Sequence, residues 1–72
     1  MAEIELTKHA KKRLKERGVS LAQVSETVLA PDSWFYGEQG EINAIKSFGK
    51  RKLRVVYVST PKSIRIITAI WL

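Results

Sequence analysis

The stretch TKHAKKRLKERG, residues 7–18, decides the fold, because it predicts an amphipathic helix that carries the only histidine and much of the positive charge. At about 100° per residue, Leu6, Ala10 and Leu14 fall on one side of this helix. The lysines fall on nearly the opposite side: Lys8, Lys11, Lys12 and Lys15. The pattern therefore predicts a helix that docks by its apolar side and exposes its lysines.

A second polar row runs along the border of the apolar side. His9, Arg13 and Arg17 follow each other at intervals of four residues. Because this spacing drifts slowly around a helix, the row turns toward the apolar side. We expect these three side chains to be half buried.

The segments next to this helix predict a first strand and a second helix. Residues Glu3 to Leu6 alternate polar and apolar, which indicates a short strand at a sheet edge. Thr7 is a helix cap and Gly18 a helix stop. Ser20 and Gln23 form the pattern of a capping box, so a second helix is expected to begin there and to end at Pro31.

After Pro31 the apolar period changes to two, and extended runs alternate with turn residues. The predicted strands are Ser33 to Glu38, Ile42 to Phe48, Leu53 to Ser59 and Ile64 to Trp71. Turns at hairpin spacing favour an antiparallel meander. Residues 1–72 are therefore predicted to form a single α+β domain, with a short N-terminal strand and two helices packed on one face of an antiparallel β-meander.

Strict alternation sorts the last two strands into two faces. The face expected under the helices holds Leu53, Val55, Tyr57, Ile64, Ile66, Thr68 and Ile70. The face expected to stay open holds Arg54, Val56, Val58, Arg65, Ile67, Ala69 and Trp71. Arginines beside a tryptophan can hold phosphates and stack a base. Equally, Trp71 and its apolar neighbours on this face could form the interface of a homodimer or bind a partner protein.

Composition favours an anionic partner. Thirteen Lys and Arg against seven Asp and Glu give a net charge of +6. Nucleic acid comes first as the partner and an acidic protein second, while a merely solubilising surface is the simplest alternative. The chain has no cysteine and one histidine, so we expect no metal site and no cofactor. No run resembles a membrane span or a signal peptide, which indicates a cytoplasmic protein.

His9, Arg13 and Arg17 are the candidate catalytic residues. Near the start of a helix and among cations, the His9 imidazole is expected to be neutral at pH 7 and able to act as a general base. Arg13 and Arg17 can neutralise a phosphate during attack by a 2′-OH, a reaction that needs no metal. The alternative is structural: His9 orients the helix through a backbone hydrogen bond, and the arginines pair with acidic residues. Those acidic residues are Glu26, Glu38 or Glu41.

Two further groups complete this chemistry. Arg54 is a further candidate for holding the phosphate, and Tyr57 or Tyr36 for donating a proton to the leaving 5′-oxygen. A basic turn fits contact with a phosphate backbone, or else a solvated hairpin tip; its residues are Lys46, Lys50, Arg51, Lys52 and Arg54. The predicted RNA-binding residues are Lys50, Arg51, Lys52, Arg54, Arg65 and Trp71.

The pattern His9-Ala10-x-x-Arg13-x-x-x-Arg17-Gly18 resembles the family called domain of unknown function 4258, which looks like a relative of RelE and ParE toxins. Val19-Ser20, Leu53-x-Val55-Val56 and Ile66-Ile67-Thr68 extend the resemblance over most of the chain. It implies a RelE-like domain, a ribonuclease toxin neutralised by an antitoxin, with His9, Arg13, Arg17 and Thr68 at the family's motif positions. Many RelE-like toxins carry catalytic residues in a C-terminal segment after the last strand, the point at which this sequence ends, at Leu72.

Three functional hypotheses follow. The first is a metal-independent endoribonuclease of toxin type, acting on free or ribosome-associated RNA, with an acidic antitoxin as partner. The second is a non-catalytic module of the same fold that binds nucleic acid or protein. The third is a structural homodimer formed through Trp71 and the open face.

Overall fold

The computed structural model describes residues 3–72, which form two helices and five strands. In chain order these are β1 (Glu3–Leu6), α1 (Lys8–Glu16), α2 (Leu21–Leu29), β2 (Ser33–Tyr36), β3 (Ile42–Phe48), β4 (Arg51–Ser59) and β5 (Ser63–Trp71). The strands lie in one sheet in the order β1-β5-β4-β3-β2. The α+β fold predicted from the sequence is confirmed.

The sheet is mixed. Strands β2 to β5 form the expected antiparallel meander, in which each strand pairs with the next along the chain. Strand β1 joins the far side of β5 in parallel, with Glu3 opposite Ser63 and Leu6 opposite Ile66. The two helices lie between β1 and β2 in the chain, so they supply the long connection from one edge of the sheet to the other.

Local caps fix where the helices begin. The Ala10 N–H donates to Thr7 Oγ1 at 3.0 Å, which caps α1. At α2 the capping box is complete, because the Gln23 N–H donates to Ser20 Oγ at 3.1 Å and Gln23 Oε1 accepts from the Ser20 N–H at 2.9 Å. Gly18 has a φ of 66°, the left-handed conformation that lets the chain leave α1 and enter α2 directly.

The core lies between the helices and one face of the sheet. Its buried side chains come from both layers: Leu14, Val19, Val24, Val28, Leu53, Val55, Ile66 and Ala69. Partly buried side chains close its margins, including Leu6, Phe48, Tyr57 and Trp71. Burial of this continuous apolar set holds α1 and α2 on the sheet.

A β-bulge in the β4–β5 pair changes which residues face the helices. Val56 lies opposite Thr68 whereas Tyr57 lies opposite Ile66, so Ile67 is the additional residue. Beyond the bulge Ala69 and Trp71 lie opposite Val55 and Leu53, on the buried side. The predicted positions of Thr68 and Ile70 under the helices, and of Ala69 and Trp71 on the open face, are wrong for this reason.

Candidate nucleic-acid interface

The outward side of α1 is a row of exposed cations. Lys8, Lys11, Lys12 and Lys15 are all exposed, as the helical pattern predicted. His9, Lys12, Arg13 and Glu16 together line one shallow depression on this side. The imidazole therefore lies at the surface, beside two cationic side chains.

Half burial of the row formed by His9, Arg13 and Arg17 is confirmed only for Arg17, since His9 and Arg13 are exposed. The reason is the rotation around the helix. Ala10 and Leu14 point into the core, and at about 100° per residue His9 lies about 120° from their mean direction, Arg13 about 80° and Arg17 about 40°. Only the last member of the row turns far enough to reach the sheet.

Arg17 ties α1 to the last strand. Its Nη1 donates to Thr68 Oγ1 at 3.1 Å and to the Ala69 carbonyl oxygen at 3.0 Å. Strand β1 pairs only with Ser63–Ile66, so β5 beyond that point has no neighbouring strand on this side within residues 3–72. The guanidinium therefore covers the part of the β5 edge that β1 leaves open.

Trp71 links the end of α1 to the start of β4. Its Nε1 donates to the Arg17 carbonyl oxygen at 3.0 Å, and the Arg51 guanidinium lies 4.3 Å from the centre of its indole ring. Phe48 makes an edge-to-face contact with the same ring, with 6.2 Å between centroids. The predicted position of Trp71 on the open face is thus wrong, and one side of its ring is already occupied.

The other predicted RNA-binding residues do not share one face. Lys52, Arg54 and Arg65 lie on the open face, whereas Arg51 lies with Trp71 and Lys50 lies in the β3–β4 turn. Arg65 Nε is 3.8 Å from Glu5 Oε2, and both side chains are more than half exposed. Such a pair contributes little to stability. Arg54 Nε is buried with no hydrogen-bond partner among the described residues.

The expected pairing of Arg13 or Arg17 with Glu26, Glu38 or Glu41 is wrong for the described part of the chain, where the one ion pair joins Arg65 to Glu5. Glu41 Oε2 instead accepts from the Gln39 N–H at 3.1 Å. Arg17 uses the neutral oxygens of Thr68 and Ala69. Besides the buried core, hydrogen bonds from Arg17 to β5 therefore hold the C-terminal end of α1 on the sheet.

Tyr57 and Tyr36 lie away from the His9 depression. They line a separate groove between α2 and β2, together with Val28, Pro31, Trp34 and Ile42. Desolvation raises the pKa of Tyr57, and the nearby Tyr36 adds to the rise, so the phenol stays protonated at neutral pH. The structure does not bring the candidate proton donors to the candidate base.

Sequence reasoning missed the role of Asp32. Asp32 Oδ2 accepts from the Ser47 N–H at 2.8 Å, and the Asp32 N–H donates to the Ile45 carbonyl at 2.8 Å. The hydrogen bond from the Ser47 backbone lowers the pKa of this carboxyl group, and Lys46 and Lys52 lower it further. The signal in the sequence was an aspartate directly before a predicted strand, where its carboxylate can accept a hydrogen bond from the backbone of the neighbouring strand.

The described residues were compared with what a metal site and a membrane-spanning helix require. Within residues 3–72, no three His, Cys, Asp or Glu side chains come together in a group suited to a metal ion. Neither helix of this region has the length and apolar character needed to cross a bilayer.

A family model described as domain of unknown function (DUF4258) matches residues 6–71. The chain belongs to this family. Comparisons with curated proteins and with solved structures gave no match. The matched range of this DUF4258 domain runs from the last residue of β1 to the last residue of β5. It therefore contains every candidate residue discussed above, from His9 to Trp71.

Proposed function

We propose that this DUF4258 domain binds RNA through a surface formed by α1 and the β3–β4 turn. Residues 8–17 hold six of the thirteen Lys and Arg and one of the seven acidic residues. The turn and the start of β4 add Lys50 and Arg51. Apart from Arg17, which is bonded to β5, we call these cations the basic surface: Lys8, Lys11, Lys12, Arg13, Lys15, Lys50 and Arg51.

The observation that carries the proposal is the contact of Trp71 with both Arg17 and Arg51. It joins the C-terminal end of α1 to the start of β4, so we place the cations of these two distant parts of the chain on one surface. Phosphate groups are attracted to such a surface through counterion release, without reading of the base sequence.

The layout of the domain supports RNA as the polyanion. A strand, two helices and an antiparallel meander follow each other in the order expected of a RelE or ParE relative. The proposed setting is the cytoplasm. An acidic antitoxin protein is a further proposed partner, because its carboxylates would compete with RNA phosphates for the same cations.

Metal-independent RNA cleavage is the second candidate function, and the depression that His9, Lys12 and Arg13 share with Glu16 favours it. There His9 can take the proton from a 2′-OH while the two cations hold the phosphate. Two observations make binding the better supported function: Arg17 is committed to Thr68 and Ala69, and Tyr57 lies in another groove.

Fluorescence anisotropy with a labelled single-stranded RNA tests binding. We expect log Kd to rise linearly with log salt concentration, with a slope of about 0.7 for each phosphate contacted. The double variant Lys12→Glu/Arg13→Glu should weaken binding at least about tenfold at low salt, through lost contacts and added repulsion. Lys62→Glu, in the β4–β5 turn, changes the charge at an exposed site outside the basic surface and is the control. Equal affinities for both variants would contradict the proposal.

Incubation with total RNA and with ribosome-bound message separates binding from cleavage. Loss of cleavage in folded His9→Ala, with RNA affinity retained, would assign an endoribonuclease with His9 as its base. Intact RNA with the wild type, together with salt-sensitive binding, would assign a binding module. Circular dichroism confirms that each variant is folded.

A further inference from the structure

Strand β2 is an exposed aromatic edge of the sheet. It is the terminal strand, and no described residue pairs with its outer side. Its three aromatic residues are Trp34, Phe35 and Tyr36, which are 53%, 48% and 66% exposed. An edge strand with unpaired backbone groups and apolar side chains is a template for pairing with another strand.

The opposite edge of the sheet is protected. Strand β1 carries Glu3 and Glu5, whose charges discourage pairing, and the Arg17 guanidinium covers β5 where β1 stops. Strand β2 has no charged residue, no proline and no register shift in its pairing with β3. Only one of the two edges is therefore open to a further strand.

The backbone of β2 has a defined outward set of hydrogen-bonding groups. The Gly37 N–H donates to the Glu41 carbonyl at 2.7 Å, next to the last β2–β3 pair. Because these groups alternate along an antiparallel pair, those of Ser33 and Phe35 also turn toward β3. The N–H and C=O groups of Trp34 and Tyr36 then point out from the edge.

From this geometry we infer that two copies of the chain pair through β2, antiparallel and with the two Phe35 residues opposite each other at a two-fold axis. Trp34 of each copy then lies opposite Tyr36 of the other. The four outward N–H and C=O groups of each strand pair with those of the other strand in four hydrogen bonds, as an antiparallel ladder requires. The result is a continuous ten-stranded sheet with the helices of both copies on the same side.

The aromatic side chains of β2 also fit the register in which the two Phe35 residues lie opposite each other. Trp34 and Tyr36 of one copy already meet edge to face, with 5.2 Å between centroids, on the side of the sheet that carries the helices. Pairing adds the Trp34 and Tyr36 rings of the second copy to this cluster and sets Phe35 against Phe35 on the open face. Aromatic pairs across neighbouring strands are among the favourable ones in sheets, and a self-complementary patch is what a two-fold interface needs.

Charge opposes a second copy less at this end of the molecule than at the basic surface. Residues 21–46 hold four acidic residues and one lysine, so the excess of positive charge lies elsewhere in the chain. Pairing through β2 keeps the two α1 helices, which pack on β5, at opposite ends of the joined sheet. The ends that meet are both weakly acidic, so added salt should strengthen the association by screening their repulsion.

The area available makes this dimer weak. A fully buried aromatic side chain contributes about 150–250 Å², so three that are half exposed give roughly 250–400 Å² per copy. Stable interfaces bury about 800 Å² per partner. We therefore expect monomers at low micromolar concentration and dimers toward about 1 mM.

Sedimentation equilibrium over this concentration range tests the proposal in the wild-type chain. Phe35→Lys places two lysines opposite each other at the two-fold axis and should leave the chain monomeric. Ile67→Lys makes the same kind of exposed apolar-to-lysine change on β5, which β4 and β3 separate from β2, and should dimerise like the wild type. Tyr36→Pro removes an outward N–H without touching the bonds to β3, and it too should abolish dimerisation.

Amide hydrogen exchange identifies the surface used. The Trp34 and Tyr36 amides should exchange more slowly as protein concentration rises, whereas the Phe35 amide should not respond. A chain that stays monomeric at about 1 mM contradicts the inference. A dimer that persists in both Phe35→Lys and Tyr36→Pro also contradicts it. Loss of the dimer in Ile67→Lys would show that the interface lies on the open face and not at the β2 edge. None of these outcomes depends on RNA binding.

Discussion

Arg17 and Thr68 are 51 residues apart in sequence, and the Arg17 Nη1 donates to Thr68 Oγ1 at 3.1 Å. Both are positions of the motif by which the sequence resembles its family. A structural role is enough to explain why both residues belong to the motif, and no catalytic role is needed. The same guanidinium also donates to the Ala69 carbonyl and covers an open strand edge. Arg17 thus positions α1, and the cations left for a ligand are those that point outward.

Arg17→Ala should destabilise the fold. It removes two hydrogen bonds from a charged donor, for which we expect a loss of about 1.5–3 kcal/mol in the free energy of unfolding. Thr68→Val should cost about 1 kcal/mol and the double variant less than the sum of both, as contacting residues do. Urea unfolding of the four proteins gives the coupling energy. Unchanged stability in Arg17→Ala, with RNA binding lost, would assign Arg17 to the ligand instead.

Trp71→Phe should lower stability with little effect on RNA affinity. The substitution keeps a ring beside Arg51 and Phe48 but loses the hydrogen bond from Nε1 to the Arg17 carbonyl, which is worth about 1 kcal/mol. Thermal unfolding and anisotropy measure the two effects, and Trp34→Phe is the matched control. A large loss of affinity in folded Trp71→Phe would mean that the indole stacks on a base.

Asp32 should make the fold sensitive to acid. Its folded pKa lies below the ordinary value of 3.8, because the carboxylate accepts from the Ser47 N–H and lies near Lys46 and Lys52. The stabilisation is therefore present above the unfolded pKa and is lost as pH falls through the folded pKa.

Asp32→Asn keeps an oxygen that can accept from Ser47 but loses the charge. Its stability should fall less steeply than that of the wild type below about pH 4 in urea unfolding. Glu38→Gln removes one carboxylate elsewhere and should follow the wild-type curve. If the free energy of unfolding falls with pH equally in the wild type and in Asp32→Asn, the Asp32 carboxylate contributes nothing to the acid sensitivity of the fold.

Local signals in the sequence were enough for most of the fold. Ser20 and Gln23 close the capping box that the spacing predicted, and β3 spans the predicted residues 42–48. These features depend on residues close together in the chain, where spacing and side-chain chemistry act directly. The parallel pairing of β1 with β5 joins the two ends of the chain, and no local pattern encodes it.

The site was harder to predict because it depends on packing between elements. A single bulge near Ile67 moved Trp71 to the side of the sheet that carries the helices, which a strict period of two cannot reveal. His9 and Arg13 are exposed because α1 turns Ala10 and Leu14 toward the sheet, a rotation that the sequence alone does not determine. The sequence identified the cations of α1, but only the fold connects them to Arg51 through Trp71.

The most direct test of the basic surface is a map of RNA binding on the protein. In ¹H–¹⁵N NMR spectra of the isotope-labelled chain, a titrated single-stranded RNA should shift the signals of α1, Lys50 and Arg51. The signals of β2 and of Arg65 and Ile67 on the open face should stay in place. Shifts confined to the open face, or no shifts at low salt, would contradict RNA binding through α1 and the β3–β4 turn.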